Sequence, residues 1–316
     1  MTEKIDVVFT YVDHNDFNWQ LLRKYATKYE YDAKFNNCDS NLDCRFNNIG
    51  TLEYAVKSVL LYLPFTNIIY IVLNTQPPMW INKLNNIDKE KIKLVYHHEI
   101  DTLIEYLPTF NSHTIEAHLH NIKNLSEYFI YLNDDVFISQ PMKQSDFLTV
   151  DNKIKINLDK AFTKQGIPMP DEIGFRSAWK NTNNWLNKTF IKEERHKIAH
   201  APHILKKSIL IEIWNLLQNE MIETSKTKFR AINNYNITCG LYPYYMLYNN
   251  MAIINTNIDS DTKTHTIYLT TDYDNNIKEM NKVKTNNKIF IFCIEDSFDD
   301  KNNDKNTIDF LQNFYI

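Results

Sequence analysis

The sequence predicts an α/β protein: a mostly parallel sheet with helices on both faces. Three observations lead there. Short apolar, β-branched runs alternate with amphipathic stretches through the first half. Each run ends on a polar residue. Aromatic residues make up 13% of the 316 positions and hydrophobic residues 43%, enough to bury a substantial core. Strands separated by helices favour parallel pairing, since a parallel neighbour needs a long crossover.

In chain order, Ile5–Val12 (IDVVFTYV) reads as a buried strand ending at Asp13, and Phe17–Tyr31 as a helix. Asp39–Asn48 is polar and loop-like. A helix opens at Thr51, with Leu52, Ala55, Val56, Val59 and Leu60 at helical spacing, and closes at Leu63-Pro64 because proline disfavours helical geometry in the residue before it. Ile68–Asn74 and Ile92–His97 read as the next strands. Ser112 caps a helix running to about Lys123, and Tyr128–Leu132 is a fourth strand. Past Phe147 the pattern loosens. Asn181–Phe190, His203–Leu217 and Tyr242–Asn249 read as helices of a cap, and Thr266–Thr270 and Lys288–Ile294 as late strands returning to the sheet, with a polar, exposed stretch at Asp272–Asn287. One catalytic unit over 1–316 is the simplest organisation: a core over 1–147, a mainly helical cap over 148–260 and closing strands over 261–316.

The net charge of −4 argues against nucleic acid as the partner, because phosphate backbones select a basic surplus. Four glycines exclude a glycine-rich phosphate loop. No secretory signal and no run of about 20 apolar residues is visible. Cys38, Cys44, Cys239 and Cys293 are therefore expected as free thiols in a cytoplasmic protein, with peripheral membrane contact left open.

Ligands of parallel sheets sit beyond the carboxyl ends of the strands. Asp13, Asn74, His97 and the pair Asp134-Asp135 fall at such ends. Adjacent carboxylates repel unless a cation compensates, and Mg²⁺ bridges such groups to phosphates. In His113-Thr-Ile-Glu116-Ala-His118-Leu-His120, helical spacing puts His113, Glu116 and His120 on one face and His118 elsewhere; a zinc spacing is not recognisable. His200-Ala-Pro-His203 is expected to open a helix whose positive end faces phosphate. Arg230 offers a bidentate fork.

These motifs resemble a family. IDVVFTYVDHND (Ile5–Asp16) is similar to the first characteristic region of the Stealth proteins, and Arg45–Ile138, with LPTFNSHTIEAHLH and FIYLNDDVFI, to the second. HAPHILKKS resembles the third region, Phe229–Leu247 a divergent fourth, and IFIFCIED the closing strand. The resemblance implies a Rossmann-like, glycosyltransferase-A-like core. It also implies transfer of a sugar 1-phosphate, such as N-acetylhexosamine 1-phosphate, from a UDP-sugar donor to a glycan or polysaccharide acceptor. UMP leaves and Mg²⁺ or Mn²⁺ is required. Matching positions are Asp13, His118, Asn133, Asp134, Asp135, Asn183, His200, His203 and Arg230, with Asn47 beside them. In the implied mechanism Asp134 and Asp135 hold the metal and Arg230 and His203 neutralise charge. His118 is the general base, and Asp13, Asn47, Asn133, Asn183 and His200 contact donor or sugar. The chain departs from the family pattern at Tyr11, His14, Asn48-Ile49 and Asn234 or Asn236. Two alternatives follow: a metal-dependent glycosyltransferase releasing UDP, and a non-catalytic sugar-binding relic.

Overall fold

The first run folds as β1 (Ile5–Tyr11), the middle of a sheet it shares with β2 (Thr66–Leu73), β3 (Ile92–Tyr96) and β4 (Tyr128–Leu132). This is seen in a computed structural model, which describes residues 3–255, 264–295 and 300–315. Later strands are β5 (Val136–Ile138), β6 (Ile154–Ile156), β7 (Leu158–Phe162), β8 (His196–Ile198), β9 (His203–Lys206), β10 (Ala252–Ile254), β11 (Thr264–Tyr268) and β12 (Ile291–Glu295). Of these, β9 joins the central sheet, whose order is β3-β2-β1-β4-β9. The first four strands run parallel, and β9 lies antiparallel on β4 with His203 opposite Tyr131. Val7, Val8, Phe9, Phe129, Ile130 and Leu132 are all fully buried, as a sheet covered on both faces requires.

Helix α1 (Phe17–Tyr29) starts where Asp16 accepts the Trp19 N–H, and the other Asp16 oxygen accepts from Gln76 N beyond β2. Helix α2 (Thr51–Tyr62) follows Gly50, whose φ of 94° is the left-handed turn that glycine tolerates, and stops before Pro64 as expected. Among the described residues no helix is long and apolar enough to cross a membrane.

Several expectations are corrected. His203–Leu217 is not one helix: its first four residues form β9, because the fully buried β4 needs a partner on its second edge, and the helix is Lys207–Leu216. Residues 148–260 are thus not only a helical cap. The helix expected from Asn181 begins at Gly174 and ends at Thr189. The cap of the helix Ser112–His118 is Asn111, which accepts from His113 N, so the Ser112 hydroxyl is free for another task. That helix gives way to a 3₁₀ turn at Leu119–Asn121 well before Lys123. The polar stretch after Asp272 is a helix, Tyr273–Thr285, burying Asn276, Met280 and Val283 at a sparse helical period. The late strands form a separate sheet, β11-β12-β5, because the turn at residues 133–135 swings the chain from β4 into β5.

Buried imidazoles make this core sensitive to acid. His97 has no hydrogen-bond partner at either ring nitrogen, and burial, then His98, lowers its pKa to about 4. Burial likewise lowers His120 to about 4. A depressed imidazole favours the folded state above its unfolded pKa near 6.5, and that contribution is lost as pH falls from there toward 4. Melting temperature should therefore drop steeply between about pH 6.5 and 4. The variant His97→Phe should flatten the slope; an unchanged slope would contradict this assignment.

Candidate active site

The carboxyl ends of β1 and β4, with the residues just before β9, converge on one region. Asp13 follows β1, and its side chain accepts from Asn15 N. Asn133, Asp134 and Asp135 form the turn between β4 and β5. Burial, then the charge of Asp135, raises the Asp134 pKa to about 7. Asp135 Oδ1 is buried with no hydrogen-bond partner, 3.5 Å from His200 Nε2. Asn133 Nδ2 lies 3.2 Å from the same ring nitrogen. On its other side His200 Nδ1 meets Glu295 Oε1 at 3.1 Å and the buried Cys293 Sγ at 3.4 Å. Burial opposes charge on His200, but Cys293, Asp135 and Glu295 hold its pKa well above the ordinary imidazole value.

A divalent ion fits these residues. Asp135, His200 and Cys293 each offer a ligand atom within 4.8 Å of one another. Asp135 contributes the buried, unpartnered oxygen that a cation would satisfy. The carboxylates suit Mg²⁺ or Mn²⁺, and the imidazole and thiol tilt the set toward the softer ions.

A second group centres on Arg230. Its Nε and Nη2 donate to Ser112 Oγ at 3.2 and 2.6 Å. Burial, then the nearby Arg45, lowers its pKa to about 9, while Asp39 and Glu116 pull the other way. Arg45 itself pairs with Asp39 at 2.7 Å. Two guanidiniums close enough to repel form a ready place for a phosphate. Glu116 accepts from Thr238 Oγ1 at 2.5 Å and from Tyr131 OH at 3.5 Å, and Tyr131 reaches Thr10 of β1 at 3.2 Å. Cys239, next to Thr238, meets His203 Nε2 at 3.1 Å.

Gly174 seats this second group. A Cβ there would lie 2.7 Å from Arg230 Cδ and 2.8 Å from its Cβ, and Gly174 N donates to Asp39 Oδ1, the partner of Arg45. Gly174→Ala should displace the Arg230 stem and lower turnover at least tenfold, with a modest change in melting temperature. Wild-type turnover in that variant would contradict this seating.

Two residues taken from the resemblance sit elsewhere. His118 is 1% exposed, with Nε2 on Ser225 Oγ at 2.9 Å and Asp101 at 3.2 Å and its ring against Trp214. Burial, then the nearby His120 and His97, lowers its pKa to about 3. Its helical neighbour Glu116 faces the site instead, since residues two apart point to opposite sides. Asn183 is fully buried and spends its amide on Thr163 Oγ1 and Lys164 O, and its carbonyl faces Arg195, so it braces the β7–β8 region. His203 lies in a strand, so no helix end serves it. Burial, then His200, lowers its pKa to about 3 and leaves it neutral. Asn47 is half-buried just after the 3₁₀ turn that carries Arg45.

Sequence reasoning missed Arg45, Tyr131, Glu295 and the ligand geometry of Cys293. Strand-end logic applied to β12 would have found Glu295; Asp296 lies outside the described residues. Three positions that depart from the family pattern touch one another: Asn48 Nδ2 donates to Tyr11 OH at 2.9 Å and Asn48 N to His14 Nδ1 at 3.0 Å. Asn234 is a fully buried brace, accepting from Asn111 Nδ2 and Ala231 N.

The family model for Stealth protein conserved region 2 matches residues 45–156, and that for conserved region 3 matches residues 199–247. The stretch Phe229–Leu247, with Arg230, thus belongs to the third region rather than to a fourth. The chain is 34% identical over 305 residues to the capsular polysaccharide phosphotransferase fcs1 of Haemophilus influenzae, covering 94% of this chain and 79% of that protein. It is 34% identical to the capsular polysaccharide phosphotransferase LcbA of Neisseria meningitidis, covering 93% and 77%. The exopolysaccharide phosphotransferase SCO2592 of Streptomyces coelicolor is 32% identical over 78% of this chain but 25% of its own length. A solved galactosyltransferase, LgtC with donor and acceptor sugar analogs, overlaps 98% of this chain at 10% identity and a TM-score of 0.47, a likeness too slight to argue from. With two conserved regions matched and relatives similar over nearly their whole common length, the chain belongs to the Stealth family.

Proposed function

We propose that the protein transfers a sugar 1-phosphate, with N-acetylhexosamine 1-phosphate as the first candidate, from a UDP-sugar to a hydroxyl of a glycan acceptor in capsule or cell-surface polysaccharide synthesis. The observation that carries this reading is the juxtaposition, around His200 and Glu116, of a strand-tip carboxylate pair and a half-buried guanidinium. Its relatives named as capsular polysaccharide phosphotransferases support it.

The reaction is an in-line displacement at the sugar-proximal phosphorus. The acceptor oxygen forms the new P–O bond, the bond to UMP breaks, and the hydroxyl proton goes to a base. Such transfers depend mainly on positioning and on charge placed where the phosphoryl oxygens develop theirs. Asp135, with Asp134 beside it, would hold Mg²⁺ or Mn²⁺ together with His200 and Cys293, and that ion would supply positive charge against the diphosphate. Arg230, locked by Ser112, would take the transferring phosphoryl oxygens, with Arg45 beside it. Asp13, Asn47 and Asn133 line the donor side.

His203 replaces His118 as the base. Its ring is uncharged and so has a lone pair on one nitrogen, Nε2 meets the Cys239 sulfur, and an arriving diphosphate raises its basicity. Cys239 stays a thiol, since burial, then Glu116, raises its pKa to about 12.

Incubation with UDP-N-acetylglucosamine, a divalent metal and an acceptor panel, followed by mass spectrometry, should show UMP as the released nucleotide. UDP would identify attack at the sugar carbon and overturn the reading.

A further inference from the structure

Outside the site just described, the molecule carries a groove of about 720 Å³ between α1 and the loop before α2. That size lies within the ~300–1,000 Å³ typical of ligand sites. Gln20, Lys24, Thr27 and Lys28 form the helical wall, and Asn41 and Asp43 the other. His14 closes one end, one residue past Asp13, so the groove opens toward the carboxyl end of β1.

Its charge is opposite to that of the whole chain. Arg23, Lys24 and Lys28 line it against the single carboxylate of Asp43, while the protein carries −4. Arg23 is already fixed: it donates to Asn41 and Asp43, and its guanidinium lies 4.4 Å over the Phe46 ring. Lys24 and Lys28 are exposed and form no salt bridge among the described residues. His14 Nδ1 accepts from the Asn48 N–H, so in the neutral ring the proton sits on Nε2, which is a donor. The groove thus offers two exposed ammonium groups, that of Lys28 lying 4.8 Å over the Tyr29 ring, and a ring N–H, a set that selects anionic oxygen.

We propose that this groove binds the growing acceptor as a glycan bearing phosphodiesters, holding one or more of its phosphates on Lys24 and Lys28 while its terminal hydroxyl reaches the site beyond His14. The identity of that chain rests on the proposed function: every sugar 1-phosphate added to a hydroxyl leaves one phosphodiester charge, so an acceptor extended by earlier turnovers is a polyanion.

The test compares a phosphodiester-linked hexamer of N-acetylglucosamine 1-phosphate with neutral chitohexaose and with phosphatidylglycerol vesicles, by calorimetry without donor. The wild-type chain should bind the phosphodiester hexamer at least about tenfold more tightly than chitohexaose at low salt, and weaken as salt rises. Lys24→Glu with Lys28→Glu should lose about tenfold in that affinity, Lys24→Arg with Lys28→Arg should keep it, and UDP-sugar binding should stay unchanged in both. Equal affinity for the neutral hexamer, an unaffected Glu variant, or binding to the vesicles alone would overturn the proposal. Release of UDP in the turnover assay would instead overturn the proposed reaction, and the donor-free comparison separates the two failures.

Discussion

Replacing Asp135 with asparagine is expected to lower turnover by about three orders of magnitude while leaving the protein as stable as before or more so. The carboxylate has a buried oxygen with no hydrogen-bond partner and raises the pKa of Asp134 by its charge. Two such acids side by side cost the fold something, since neither is fully neutralised by protein donors. An amide removes one charge and relieves Asp134, so the melting temperature should stay level or rise by a degree or more. The thermal stabilisation that a divalent ion gives the wild-type protein should vanish in the same variant. Loss of activity together with a lower melting temperature would mean that Asp135 holds the turn together, and the metal-site reading would then fail. Full activity would reject it outright.

Arg230→Lys should cost about a hundredfold in turnover although the charge is kept. Lysine cannot present two parallel N–H groups, and the paired bonds from Nε and Nη2 to Ser112 fix the plane of the guanidinium. Ser112→Ala should reproduce a smaller part of the loss, because it frees the fork without removing it. Affinity for the UDP-sugar should fall less than turnover if Arg230 acts on charge that develops during transfer. A parallel fall in both would make it a plain binding residue.

The parts of this account that were legible in the sequence rest on backbone logic. IDVVFTY and YFIYL are mostly apolar, with Asp6 and Thr10 as the exceptions in the first; such runs fit a covered parallel sheet, and that placed Asp13 and Asp134-Asp135 beyond the carboxyl ends of strands. The histidines were harder. His118 and Glu116 stand two apart on one helix, and nothing in their spacing says which side faces the sheet; Thr238 and Tyr131, distant in sequence, decide it. HILK has β-branched and long residues compatible with either helix or strand, and the choice was made by the open edge of β4. Arg45 needed the third dimension, since its place depends on Gly174 and Asp39; Glu295 was within reach of strand-end logic, and only its meeting with His200 needed the fold.

The central claim is that the sugar-proximal phosphorus moves with the sugar. A UDP-sugar donor labelled with ³²P at that phosphorus tests it most directly. The expected result is label in the glycan product and an unlabelled UMP. Label recovered in UDP, with an unlabelled product, would contradict the account.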